Sequence, residues 1–209
     1  MTTINTTLLF LHGAGNASKQ STAYLEKALE AQGFNCLSFD LPGHGESLEK
    51  LEGSSLEKRY QAAKQVASTL KTPLSICATS MSGTTAIQLL KDFPKIQSLI
   101  LFAPALYDKA AYTIPFGEGF SEIIRQEKSW RNSEELSLLQ NYIGKLLIFI
   151  GENDPVIPKE VIELLDLNST ESGQKAVFIL PNCKHNIHRW AQKSPENMSF
   201  IMEKISSFL

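Results

Sequence analysis

Apolar residues along the chain gather into six short runs: Thr7–Leu11, Asn35–Asp40, Leu74–Thr79, Ser98–Phe102, Lys145–Ile150 and Ala176–Leu180. Most are continuous rather than alternating in polarity, as expected of strands buried on both faces of a parallel sheet. Between and after them lie segments with helical spacing, Lys19–Gln32, Ser55–Leu70, Met81–Phe93, Lys159–Asp166 and Ser194–Phe208. This alternation predicts an α/β fold with a mainly parallel sheet of about six strands and helices on both faces. Local signals agree with it. Ser54 and Glu57 form a capping-box pattern at the second helical segment. Gly33 stands where a C-terminal glycine belongs, and Pro94 ends the third helix.

The stretch 105–142 breaks the rhythm. It carries Tyr107, Tyr112, Phe116, Phe120, Trp130 and Tyr142, and it places Phe120, Ile123 and Ile124 on one helical face. A connection this long is usually functional, although an ordinary crossover with its apolar residues facing the core would look the same.

At 209 residues the chain has the size of one domain with a substantial core. A formal net charge of −2 leaves no electrostatic footprint for nucleic acid or an anionic membrane. The longest apolar runs are strand-sized, so no membrane span is expected, and MTTINTTLLF lacks the basic region of a signal peptide. Cys36, Cys77 and Cys183 are scattered, without metal-ligand spacing, which fits a reduced, cytoplasmic protein. Pro42-Gly43-His44-Gly45 lacks the lysine of a phosphate-binding loop, so no nucleotide cofactor is expected. His185-x-x-His188 has no nearby acidic partner, so no metal is expected either.

The chemistry concentrates in LSICATSMSG, Leu74 to Gly83. A strand-like run stops at Ser80 with small residues two positions to either side, Ala78 and Ser82, and a helical segment follows. Such a turn holds a serine hydroxyl proud of the sheet, where a base and an oxyanion site can reach it. A helix-capping serine is the plainer reading, and Ser82 is the competing nucleophile. LLFLHGAGN (Leu8–Asn16), FDLPGHGES (Phe39–Ser47) and IGENDPVIP (Ile150–Pro158) accompany this turn. In type and order the four segments resemble the α/β-hydrolase family over nearly the whole chain. The departure is at the elbow, where Ala78 and Ser82 replace the usual glycines.

That resemblance implies a serine hydrolase acting on an ester or thioester without a cofactor. Ser80 would be the nucleophile, Asp154 the acid and His185 the base, in the chain order the family uses. Asp108, after the preceding strand, is the alternative acid, with Glu152 too early in its turn; His188 is the alternative base. The amides of Ala14 and Met81 would form the oxyanion hole. Residues 105–142 would form a small cap after the fourth strand, within a single domain spanning 1–209. Tyr112, Phe116 and Phe120, with His12 of the first His-Gly turn, would contact a small-molecule acyl substrate that has an apolar portion. The family usually opens with a two-strand hairpin; this chain starts at the later strand, which implies a minimal six-stranded sheet. A different class also fits: a small-molecule binding or signalling protein on the same scaffold.

Overall fold

A computed structural model describes residues 6–70 and 73–209. Six strands form one sheet: β1 (Thr7–Leu11), β2 (Asn35–Ser38), β3 (Leu74–Thr79), β4 (Ser98–Phe102), β5 (Lys145–Gly151) and β6 (Gln174–Leu180). Their order is β2-β1-β3-β4-β5-β6 and every pairing is parallel. The register sets Leu9 beside both Leu37 and Ile76, Cys77 beside Ile100, and Ile100 beside Leu147. The inner strands β1 and β4 are buried along their whole length, which explains their unbroken apolar runs. The edges β2 and β6 are partly exposed, and β2 alternates.

The helices are α1 (Ala23–Glu30), α2 (Leu56–Ser68), α3 (Ser82–Gln88), α4 (Glu118–Ile124), α5 (Glu135–Leu139), α6 (Lys159–Asn168), α7 (Ile187–Ala191) and α8 (Pro195–Phe208). Helices α2, α3, α5 and α6 pack against one another in succession. Ser206 of α8 donates to Gln32, two residues past α1, at 2.9 Å. Sheet and helices enclose one continuous core that includes Phe10, Ile76, Phe102 and Phe149.

Two local expectations need correction. Strand β2 ends at Ser38, because Asp40 is already committed to the following loop, where its carboxylate accepts the Lys19 and Glu46 amides at 2.7 and 3.0 Å. The cap of α2 is Ser55, which accepts the Lys58 amide at 3.2 Å. Ser54 instead donates to the Pro42 carbonyl at 3.0 Å, so no box forms with Glu57. Helix α7 stands apart from α8 as a separate short helix.

From the edge strand β2 the chain crosses back over β1 to β3, so the loop after β1 and the loop after β3 leave in opposite directions and open a crevice at the sheet's C-terminal edge. Open α/β sheets build their sites at such switch points. Here the two loops begin with His12-Gly13 and Ser80-Met81.

Candidate active site

Ser80 follows the last residue of β3 with φ +52°, a left-handed conformation rare for a residue with a side chain. Its neighbours hold it there. The Ser80 amide donates to the Phe102 carbonyl at 2.9 Å, and the Ser80 carbonyl accepts the amides of Gly83 and Ala105 at 2.8 and 3.0 Å. Gly83 is required by this approach: a Cβ there would lie 2.6 Å from Pro104 Cβ. The side chain is left free to face the crevice rather than cap α3.

Three side chains meet over the sheet edge. His185 Nε2 accepts the Ser80 hydroxyl at 2.9 Å, and His185 Nδ1 donates to Asp154 Oδ2 at 2.8 Å. The Asp154 side chain is 2% exposed, and its other oxygen accepts the amides of Val156 and Ile157 at 2.7 and 3.1 Å. A carboxylate so held fixes the proton of His185 on Nδ1 and turns a lone pair toward Ser80. Gly151, at the end of β5, lets the loop that carries His185 lie against it; a Cβ would sit 2.6 Å from the carbonyls of Cys183 and Lys184.

The competing residues are engaged elsewhere. Asp108 accepts the Ala110 amide at 2.9 Å and Asn132 at 2.8 Å. Glu152 accepts the Asn182 amide at 2.9 Å. Ser82 is buried, and its hydroxyl donates to the His12 carbonyl at 2.5 Å. His188 is buried between Thr79 Oγ1 and the Tyr24 hydroxyl, 2.7 and 3.1 Å away, and burial pulls its pKa down to about 4.

The amides of Ala14 and Met81 have no acceptor among the described residues. His12, in the loop before Ala14, accepts the Leu41 amide on Nε2 at 3.0 Å and donates from Nδ1 to the Gly13 carbonyl at 2.8 Å. Burial and the nearby Arg59 guanidinium pull its pKa down to about 4, so it is neutral. Arg59, on α2, is fully buried. Its Nη2 donates to the carbonyls of His12 and Gly13 at 2.7 and 3.2 Å and to Ser82 Oγ at 2.9 Å; Nη1 lies 3.2 Å from Met81 Sδ. Burial lowers its pKa to about 10. Sequence reasoning passed over Arg59, yet a signal was there. Leu56, Arg59, Tyr60, Ala63 and Ala67 form the buried stripe of α2, and a charged residue inside such a stripe is anomalous.

Ser80 opens onto a cavity of about 620 Å³. Tyr107 and Val156 give it apolar wall; Gln20, Ser21, Asn186 and Gln192 give it polar wall, and among the described residues Arg189 is the one in the lining with a formal charge. The expected substrate contacts are corrected here, because none of the four lines this cavity. His12 is spent on the loop. Phe116, Phe120 and Tyr112 pack with Leu56, Met81 and Ala111 in a second buried cluster, and the Tyr112 hydroxyl donates to the buried Glu135 carboxylate. Of the aromatic segment, Tyr107 reaches the cavity. Among the described residues no cluster could hold a metal ion, and no helix is long and apolar enough to cross a membrane.

A family model described as serine aminopeptidase, S33, matches residues 2–137. Solved structures align over nearly the whole chain. One is a monoacylglycerol lipase of Paleococcus ferrophilus: 18% identical, TM-score 0.75, covering 97% of this chain and 93% of that one. Another belongs to a study of carboxylesterases of Nitrososphaera gargenis: 13% identical, TM-score 0.72, covering 99% and 92%. A thioesterase domain from the curacin biosynthetic pathway is 19% identical, with a TM-score of 0.65, covering 90% and 87%. At these identities the likeness is one of fold. No curated protein matches the sequence.

Proposed function

The chain belongs to the serine aminopeptidase S33 family of α/β hydrolases, and we propose that it hydrolyses a small ester or thioester through an acyl-enzyme on Ser80. The observation that carries this reading is the unbroken hydrogen-bond chain from Ser80 through His185 to Asp154. The Ser80 oxygen attacks the carbonyl carbon as its proton passes to His185 Nε2, and Asp154 stabilises the imidazolium. The oxyanion is received by the Ala14 and Met81 amides. Collapse breaks the ester C–O or thioester C–S bond, and the alcohol or thiol leaves with the proton from His185. Water, deprotonated by His185, then attacks the acyl carbon and releases the acid and Ser80.

The lining favours an ester over a peptide with a free N-terminus. An α-ammonium calls for carboxylates, whereas the formal charge in this cavity is the cation of Arg189. Tyr107 and Val156 suit a short apolar portion of the substrate; Arg189 suits a carboxylate at its far end. Arg189→Gln is therefore expected to lower kcat/KM for a carboxylate-bearing nitrophenyl ester about tenfold while leaving the neutral ester unchanged. Equal effects on both substrates would remove Arg189 from substrate choice.

The test of the reaction itself is labelling with a fluorophosphonate, followed by intact mass and peptide mapping. One adduct on Ser80 is expected. A folded, unlabelled protein would favour a ligand-binding role instead.

A further inference from the structure

We propose that Arg59 is a positioning residue for the oxyanion site: it locks together the two loops whose amides receive the oxyanion, and it sets an unpaired positive charge behind them. The inference rests on the hydrolase reading above and concerns a residue outside the Ser80–His185–Asp154 chain.

Three observations meet at this guanidinium. First, it bonds the carbonyls of His12 and Gly13 on one loop and Ser82 and Met81 on the other. Second, the Gly13 carbonyl and the Ala14 N–H belong to one planar peptide unit and point in opposite directions. Donors on that carbonyl aim the Ala14 N–H at the crevice and polarise it. Third, among the described residues every hydrogen-bond partner of Arg59 is neutral, and its Nε has none. A buried cation with no counter-ion is unfavourable to the folded chain.

A purely structural role does not account for this arrangement. The His12 carbonyl also accepts the Ser82 hydroxyl, and the Gly13 carbonyl also accepts His12 Nδ1. Neither would be orphaned by the loss of Arg59, and an unbranched apolar side chain could follow the same path. What would be lost is a fixed positive charge close to where a negative one forms in the transition state, in surroundings that screen it poorly.

The test compares parent, Arg59→Met and Arg59→Lys by thermal melting, by kcat and KM on a neutral nitrophenyl ester, and by inhibition with an alkylboronic acid that forms a tetrahedral adduct on serine. Arg59→Met is expected to melt no lower than the parent, to lose about 10²-fold in kcat with KM nearly unchanged, and to lose boronate affinity in parallel. Arg59→Lys, which keeps the charge but not the fork, is expected to fall between. A folded Arg59→Met with parental kcat overturns the proposal. If Arg59→Met does not fold, Arg59→Lys decides: reduced kcat at parental melting temperature supports the proposal, and parental kcat overturns it. Labelling of Ser80 in the parent keeps the two readings separate, since a labelled, active parent with active Arg59 variants leaves the hydrolase reading intact.

Discussion

Ser80→Ala is expected, on the proposed hydrolase reading, to lower ester turnover by a factor on the order of 10⁴–10⁶ in kcat, and His185→Ala to lower it about as much. The reason is geometric. The two groups share one hydrogen bond of 2.9 Å, and neither acts without the other. The double variant is expected to be no slower than either single one, because residues acting as a unit are not additive. Residual rate over water would come from the oxyanion site and binding. Ser82→Ala is the control. Its hydroxyl sits between Arg59 and the His12 carbonyl, so its loss costs stability of about 1–3 kcal/mol and leaves most of the rate. Steady-state assays on a nitrophenyl ester with matched melting curves distinguish the cases. A slow Ser82→Ala beside an active Ser80→Ala would move the nucleophile to Ser82.

The second large effect is expected from Asp154→Asn, a loss of about 10⁴ in kcat with little change in fold. The amide keeps the size of the side chain and one oxygen for the Val156 and Ile157 amides. If that oxygen stays on them, the NH₂ faces His185, and the ring must present Nδ1 as an acceptor. The proton then sits on Nε2, where Ser80 needs a lone pair. Asp108→Asn should run at close to the parental rate, because Asp108 serves the Ala110 amide and Asn132. A nearly silent Asp154→Asn would require another acid for His185.

Much of this was legible in the chain. Continuous apolar runs identified the inner strands, because strands covered on both faces have no polar positions to spare, while the partly exposed edges β2 and β6 showed as shorter or mixed runs. Ser80, Asp154 and His185 stood out as candidates through their order and their turns, and the fold sets Ser80 and His185 in hydrogen-bond contact across 105 residues of chain. The lining of the cavity was not legible. Phe116, Phe120 and Tyr112 are apolar at helical spacing, and that pattern records burial without recording what covers the residue. Here the cover is Leu56 and Met81 rather than a cavity. The polar wall went unseen for the converse reason: Gln20, Arg189 and Gln192 read as ordinary surface residues until the fold sets them around Ser80. Arg59 was passed over for its type, since an arginine in an amphipathic helix is usually solvated, although its place on the apolar stripe of α2 marked it as anomalous.

The strand order also sets when activity can emerge as the chain is made. Strand β1 has no second neighbour until β3 is available, and β3 follows it by some sixty residues; such non-local pairing slows folding and keeps apolar edges open for longer. The nucleophile is laid down early, on β3, but its base arrives only beyond β6, the outermost strand. A nascent chain released before β6 would hold Ser80 on a sheet whose growing edge is still unpaired, with no histidine to activate it. On the proposed reading, turnover is therefore a reporter of sheet assembly: it switches on only after β6 has joined the sheet and His185 has followed it.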